Sequence, residues 1–133
     1  MFRYAVPAAL LVAACATTAA SDPGMSASQQ AKLDKALAGL EPGKPQNCID
    51  PDRITQTKTF PDTILFVVGK NKVYRNTPTG GCAGLKRDDL IVTRSPIRQY
   101  CSGDLVETRA RVGGQVTGAC ALGDFVPYTP AAD

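Results

Sequence analysis

The sequence predicts an all-β domain, a small antiparallel meander or barrel of about six strands with two disulfides, preceded by a short N-terminal helix. Three observations predict it. Twelve glycines and ten prolines among 133 residues break the chain too often for long helices. Between the breaks lie short runs that are either alternating or continuously apolar, the marks of half-buried and fully buried strands. Four of the five cysteines, Cys48, Cys82, Cys101 and Cys120, fall in this strand-rich part, spaced too widely for the close pairs of a zinc site.

The chain opens with three segments of a secretory signal. Met1 to Tyr4 carries one positive charge, on Arg3, and Ala5 to Ala13 is uncharged and apolar. That run is far shorter than the roughly 20 residues needed to span a bilayer. Val12-Ala13-Ala14-Cys15 follows, an aliphatic residue and two small residues before a cysteine. It resembles the lipobox of bacterial lipoproteins, in which the chain is cut before the cysteine and the thiol takes lipid such as palmitate. The competing reading is an ordinary signal peptide cut near Thr18-Ala19-Ala20. Lipidation of Cys15 removes the odd cysteine from the count and leaves an even four, which favours the lipobox. Residues 1–14 are then signal peptide, 15–47 a lipidated tether with a possible short helix, 48–127 the β domain and 128–133 a tail. Ala16 in place of Asp after the lipidated residue directs such a protein to the outer membrane, facing the periplasm.

Within the tether, Ser26 and Gln29 have capping-box spacing, and Leu33, Leu37 and Leu40 form a narrow apolar stripe. Ser26 to Leu40 is read equally as a docked helix or a partly ordered tether, followed by the linker Lys44 to Asn47. From Cys48 the pattern turns to β. Thr55 to Phe60 alternates, and Thr63 to Val68 is continuously apolar, as a central buried strand would be. Val73 to Asn76 returns after a polar turn, and Leu90 to Thr93 forms another apolar strand. From Val106, alternation puts Val106, Thr108, Ala110 and Val112 on one face and Glu107, Arg109 and Arg111 on the other. Gly113-Gly114 turns the chain into a last strand region, Val116 to Phe125, and a Pro- and Ala-rich tail.

Composition excludes several function classes. With no histidine, Ser-His-Asp and Cys-His nucleophile activation are unavailable, as is His-ligated zinc. The formal charge of +3 falls to about +2 when Arg3 leaves with the signal, too little to imply nucleic acid. No cofactor and no metal is expected.

Several ordered motifs add up: Cys48-Ile49, Asp62-Thr63-Ile64-Leu65-Phe66, Tyr74-Arg75-Asn76, Gly81-Cys82-Ala83-Gly84-Leu85, Tyr100-Cys101-Ser102-Gly103-Asp104 and Cys120-Ala121-Leu122-Gly123-Asp124-Phe125. In order and spacing they resemble small proteobacterial lipoproteins of uncharacterised function with a four-cysteine β domain. The resemblance covers roughly Cys48 to Pro127 and implies no activity.

Two function classes remain open. The first is a non-enzymatic binding or structural module of the cell envelope, tied to the membrane by its N-terminal lipid and meeting an envelope protein or glycan. An inhibitor of a lytic enzyme belongs to this class. The second is a glycan hydrolase working with carboxylates alone, for which Asp88-Asp89 and Asp104 with Glu107 are the candidates. Asp104 after Ser-Gly reads better as turn chemistry, so no catalytic residue is expected. Arg75, Arg94, Arg98, Arg109 and Arg111 are candidates for a basic face, against the plainer reading of a solvated β surface. Tyr74 and Tyr100 are candidates for ligand platforms or for covers over a barrel end.

Four cysteines allow three pairings. A closing meander brings its first and last strands together, which points to Cys48–Cys120. Cys82 and Cys101 then flank the Leu90–Thr93 strand and pair with each other.

Overall fold

The computed structural model describes residues 25–131. The signal segment, Cys15 and Ala16 lie outside the described residues.

Helix α1 (Ala27–Ala36) starts where the capping box places it. The Ser26 hydroxyl accepts from the Gln29 amide at 3.2 Å, and the Gln29 side chain accepts from the Ser26 amide at 3.0 Å. This reciprocal pair satisfies two donors that a helix start leaves free. Leu33 is buried, and the stripe ends with Leu37 as the C-cap and Leu40 already in strand. The helix is therefore docked on the domain.

Ten strands follow among the described residues: β1 (Leu40–Pro42), β2 (Cys48–Ile49), β3 (Gln56–Phe60), β4 (Thr63–Val68), β5 (Lys72–Asn76), β6 (Leu90–Arg94), β7 (Tyr100–Cys101), β8 (Leu105–Arg109), β9 (Val116–Ala121) and β10 (Phe125–Pro130). They form three antiparallel sheets, ordered β1-β10-β5-β4-β3, β2-β7 and β6-β8-β9. The all-β class holds, with more strands than the six or so counted in the sequence and with an open main sheet whose edges are β1 and β3.

The pleat of the main sheet sorts the core into two clusters. Leu65 and Val73 point to one side, where Leu33 of α1 and Phe60 cover them. Ile64, Phe66 and Tyr74 point to the other, against Leu85, Val106, Cys120, Leu122 and Phe125. Both faces of β4 are buried, so its sequence reads as a continuous apolar run. Phe66 and Tyr74 meet Phe125 with ring centroids 5.8 and 6.4 Å apart, tilted and edge-on, as aromatic quadrupoles favour.

Two local features lock the sheets together. Asn76 is fully buried, yet its side chain donates to the Gly123 carbonyl at 2.7 Å and accepts from the Gly123 amide at 2.9 Å. Its polar atoms are satisfied while the β9–β10 connection is pinned to β5. The 3-10 turn Ala83–Arg87 lies directly on the β6-β8-β9 sheet. A Cβ on Gly84 would overlap the Thr108 and Thr117 side chains, so only glycine permits this approach.

Three expectations are corrected. The disulfides are Cys48–Cys101 and Cys82–Cys120, in place of Cys48–Cys120 and Cys82–Cys101. The region read as one last strand is broken at Leu122-Gly123-Asp124 into β9 and β10. It is β10 that enters the main sheet, between β1 and β5, so Cys120 never reaches a closing seam. It sits on β9, under the 3-10 turn that begins beside Cys82, while Cys48 and Cys101 are direct partners in the β2-β7 ladder. Second, the β domain extends past both bounds drawn for it, because β1 precedes residue 48 and β10 continues to Pro130. Third, the alternation from Val106 stops at Arg109. A register irregularity at Thr108/Arg109 and the turn closed by Gly113 and Gly114, both at positive φ, swing Val112 out to 88% exposure.

Candidate functional site

The structure scatters the residues singled out from the sequence. The Asp104 carboxylate accepts from the Cys101 amide at 2.8 Å and closes its own turn. Glu107 lies on the outer face of β8 between Arg109, at 2.9 Å, and Arg94, at 3.5 Å. The hydrogen bond from Arg109, reinforced by the charge of both guanidinium groups, holds its carboxyl below the usual range despite some desolvation. A carboxylate so held is ionised at neutral pH and accepts protons poorly. Asp89 is buried, accepts from the Thr117 hydroxyl at 2.7 Å and lies 3.5 Å from Arg87. Each of these carboxylates is thus engaged by its own neighbours.

The five arginines do not form one face. Arg94 and Arg109 clasp Glu107, Arg98 lies in an exposed loop, and Arg75 is half-buried on β5 opposite Leu65. Tyr74 is a core residue against Phe125, and Tyr100 packs on Phe66 at 6.1 Å. Among the described residues there is no cluster of three or more His, Cys, Asp or Glu suited to a metal ion.

A concavity gathers residues that are far apart in the chain. A groove of about 760 Å³ runs between α1, the free edge of β3 and the 3-10 turn. That volume lies within the range of small-ligand sites. Its cations are Lys32 and Lys35 from α1, Lys58 from β3, Lys86 from the 3-10 turn and Arg111 from the β8–β9 turn. Lys32 and Lys35, three apart, share a helical face, a like-charged spacing that weakens a helix slightly. The acid of α1, Asp34, is hydrogen-bonded to Gln30 and does not line the groove.

Asp88 is the one acid among the described residues lining the groove, and it is matched. It takes the left-handed conformation, φ 56°, at the end of the 3-10 turn. Its carboxylate accepts from the Thr59 hydroxyl at 2.7 Å and lies 3.5 Å from Arg111, whose Nε donates to the Asp88 carbonyl at 2.8 Å. Asp88 thereby ties the turn, β3 and the β8–β9 turn into one wall and cancels the charge of Arg111. The four lysines have no ion-pair partner among the described residues. Four like charges around one concavity raise its potential and concentrate anions there.

No signal in the sequence pointed here, because the lysines come from three separated segments and form no motif. No protein-family model, no curated protein and no solved structure matches this chain.

Proposed function

We propose that this chain is a lipid-anchored protein of the bacterial cell envelope, a non-enzymatic module whose basic groove holds an anionic ligand. The observation that carries the ligand class is the convergence on one groove of four lysines without ion-pair partners among the described residues, while the one acid there is neutralised in place. The lipobox-like Val12-Ala13-Ala14-Cys15 and the resemblance to small proteobacterial lipoproteins support the anchor and the location, with Ala16 favouring the outer membrane. The engagement of Asp89, Asp104 and Glu107 by neighbouring donors favours binding over hydrolysis.

A generic polyanion tests the reading. The purified protein binds dextran sulfate and not neutral dextran, and the affinity falls steeply with added salt as counterion screening requires. Equal binding to both polymers, or binding indifferent to salt, would refute an electrostatic groove. Cleavage of an envelope glycan that disappears in Glu107→Gln, with the fold intact, would establish the hydrolase instead.

A further inference from the structure

We propose that the anion taken by this groove is the phosphate of phospholipid headgroups in the protein's own membrane, with the Val112 turn entering the headgroup layer beside it. The proposal rests on the anionic-ligand reading above and names its source. Arg111 lines the groove, and the next residue, Val112, is 88% exposed at the tip of the β8–β9 turn. Leu90 and Val116 are the cross-strand partners of Arg109, in the last row before that turn, so both stand on the same face and are exposed. Leu90 and Val116 flank Arg109 on the outer face of that sheet, and Val112 is the exposed aliphatic next to Arg111, which reaches the groove. Single exposed aliphatics are ordinary. An exposed Val112 next to Arg111, with a lysine-lined concavity close behind a lipid anchor, is the combination that interfacial binding uses, in which apolar burial and attraction to anionic lipid act together. A soluble polyanion would use the lysines and leave the aliphatics in water.

Chain length agrees. Met25 stands ten positions after Cys15, a reach of at most about 36 Å. Helix α1, which supplies Lys32 and Lys35, is the first element after that segment. An anchor so close keeps the groove at a high effective concentration of headgroups, so weak individual contacts suffice.

The chain contains no tryptophan, so Val112→Trp provides a single reporter. The lipidated protein is added to vesicles of phosphatidylcholine and to vesicles of phosphatidylcholine with phosphatidylglycerol. The expected result is a blue-shifted emission on the mixed vesicles alone, reversed by salt. In a Cys15→Ser form that carries no lipid, adding Lys32→Gln and Lys35→Gln lowers binding to mixed vesicles roughly thirtyfold. Val112→Asp, made without the reporter in a Cys15→Ser form that carries no lipid, weakens flotation with mixed vesicles while leaving dextran sulfate binding unchanged. The same emission on both vesicles overturns the proposal, as does loss of the shift on adding inorganic phosphate equal in concentration to the lipid. Dextran sulfate binding without a shift overturns the headgroup claim and leaves the anionic groove standing. Failure to float with phosphatidylcholine alone counts against the lipid anchor, and the mixed vesicles still decide the headgroup claim.

Discussion

The two faces of the five-stranded sheet are held in different ways. On one side lie both disulfides, the larger apolar cluster and the Arg94–Glu107–Arg109 group, whose charges sit beside opposite charges. On the other side a ten-residue helix rests on Leu33, Phe60, Leu65 and Val73, and its lysines face a groove without ion-pair partners among the described residues. The contrast separates two jobs. Covalent links and matched charges make the first side a scaffold. The second side tolerates like charges close together, which weakens folding slightly and is useful only when an anion arrives.

The largest expected effect tests the scaffold side. The two disulfides close interleaved loops with separations of 53 and 38 residues. On the chain-entropy account each contributes about 4 kcal/mol, a large share of a small domain's stability. Replacing Cys82 and Cys120 together with Ala should lower the unfolding free energy by that order, read from denaturant unfolding, and Cys48 with Cys101 likewise. Non-reducing peptide mapping should return the Cys48–Cys101 and Cys82–Cys120 peptides. A variant as stable as the parent would show that the apolar cluster alone holds this side.

Next comes the helix side. Leu33→Ala should cost about 2–5 kcal/mol, the range for truncating a buried leucine. Hydrogen exchange should show α1 losing protection before β4 and β5, because the disulfides still hold the other cluster. Uniform loss of protection would make the two sides one cooperative unit and blur the contrast.

Glu107 supplies a smaller, pH-dependent effect. Its carboxyl is depressed in the folded state by Arg109 and Arg94, so its contribution is present above the unfolded carboxylate value. That contribution is lost as pH falls through the lower, folded value. Glu107→Gln should therefore be less stable than the parent at neutral pH, and the difference should close in acid. A difference that grows in acid would reverse the assigned direction.

Much of this architecture is written locally in the chain. The apolar run of β4, the stripe and capping box of α1, and the buried Val106 and Thr108 of β8 each follow from residues within one element. What escaped depends on distant residues. Pro127 and Pro130 made β10 look like a tail, since proline lacks the donor a central strand needs. The strand accommodates Pro127 because its partner β1 is only three residues long and the Pro127 carbonyl still accepts from the Gly43 amide at 2.7 Å. Missing β10 then displaced Cys120 and reversed the disulfides. The groove was illegible for a related reason: Lys32, Lys58 and Lys86 are unremarkable alone and are gathered only by the docking of α1 beside β3 and the 3-10 turn.

The smallest effect on stability carries the central claim. Lys32→Gln and Lys35→Gln together touch no buried apolar contact, so unfolding free energy should stay within about 0.5 kcal/mol of the parent, or rise slightly as repulsion is relieved. In the same sample, titration with dextran sulfate should show affinity reduced at least tenfold and a shallower dependence on salt. Unchanged affinity, or a loss matched by a fall in stability, would contradict a groove whose lysines are there for an anion.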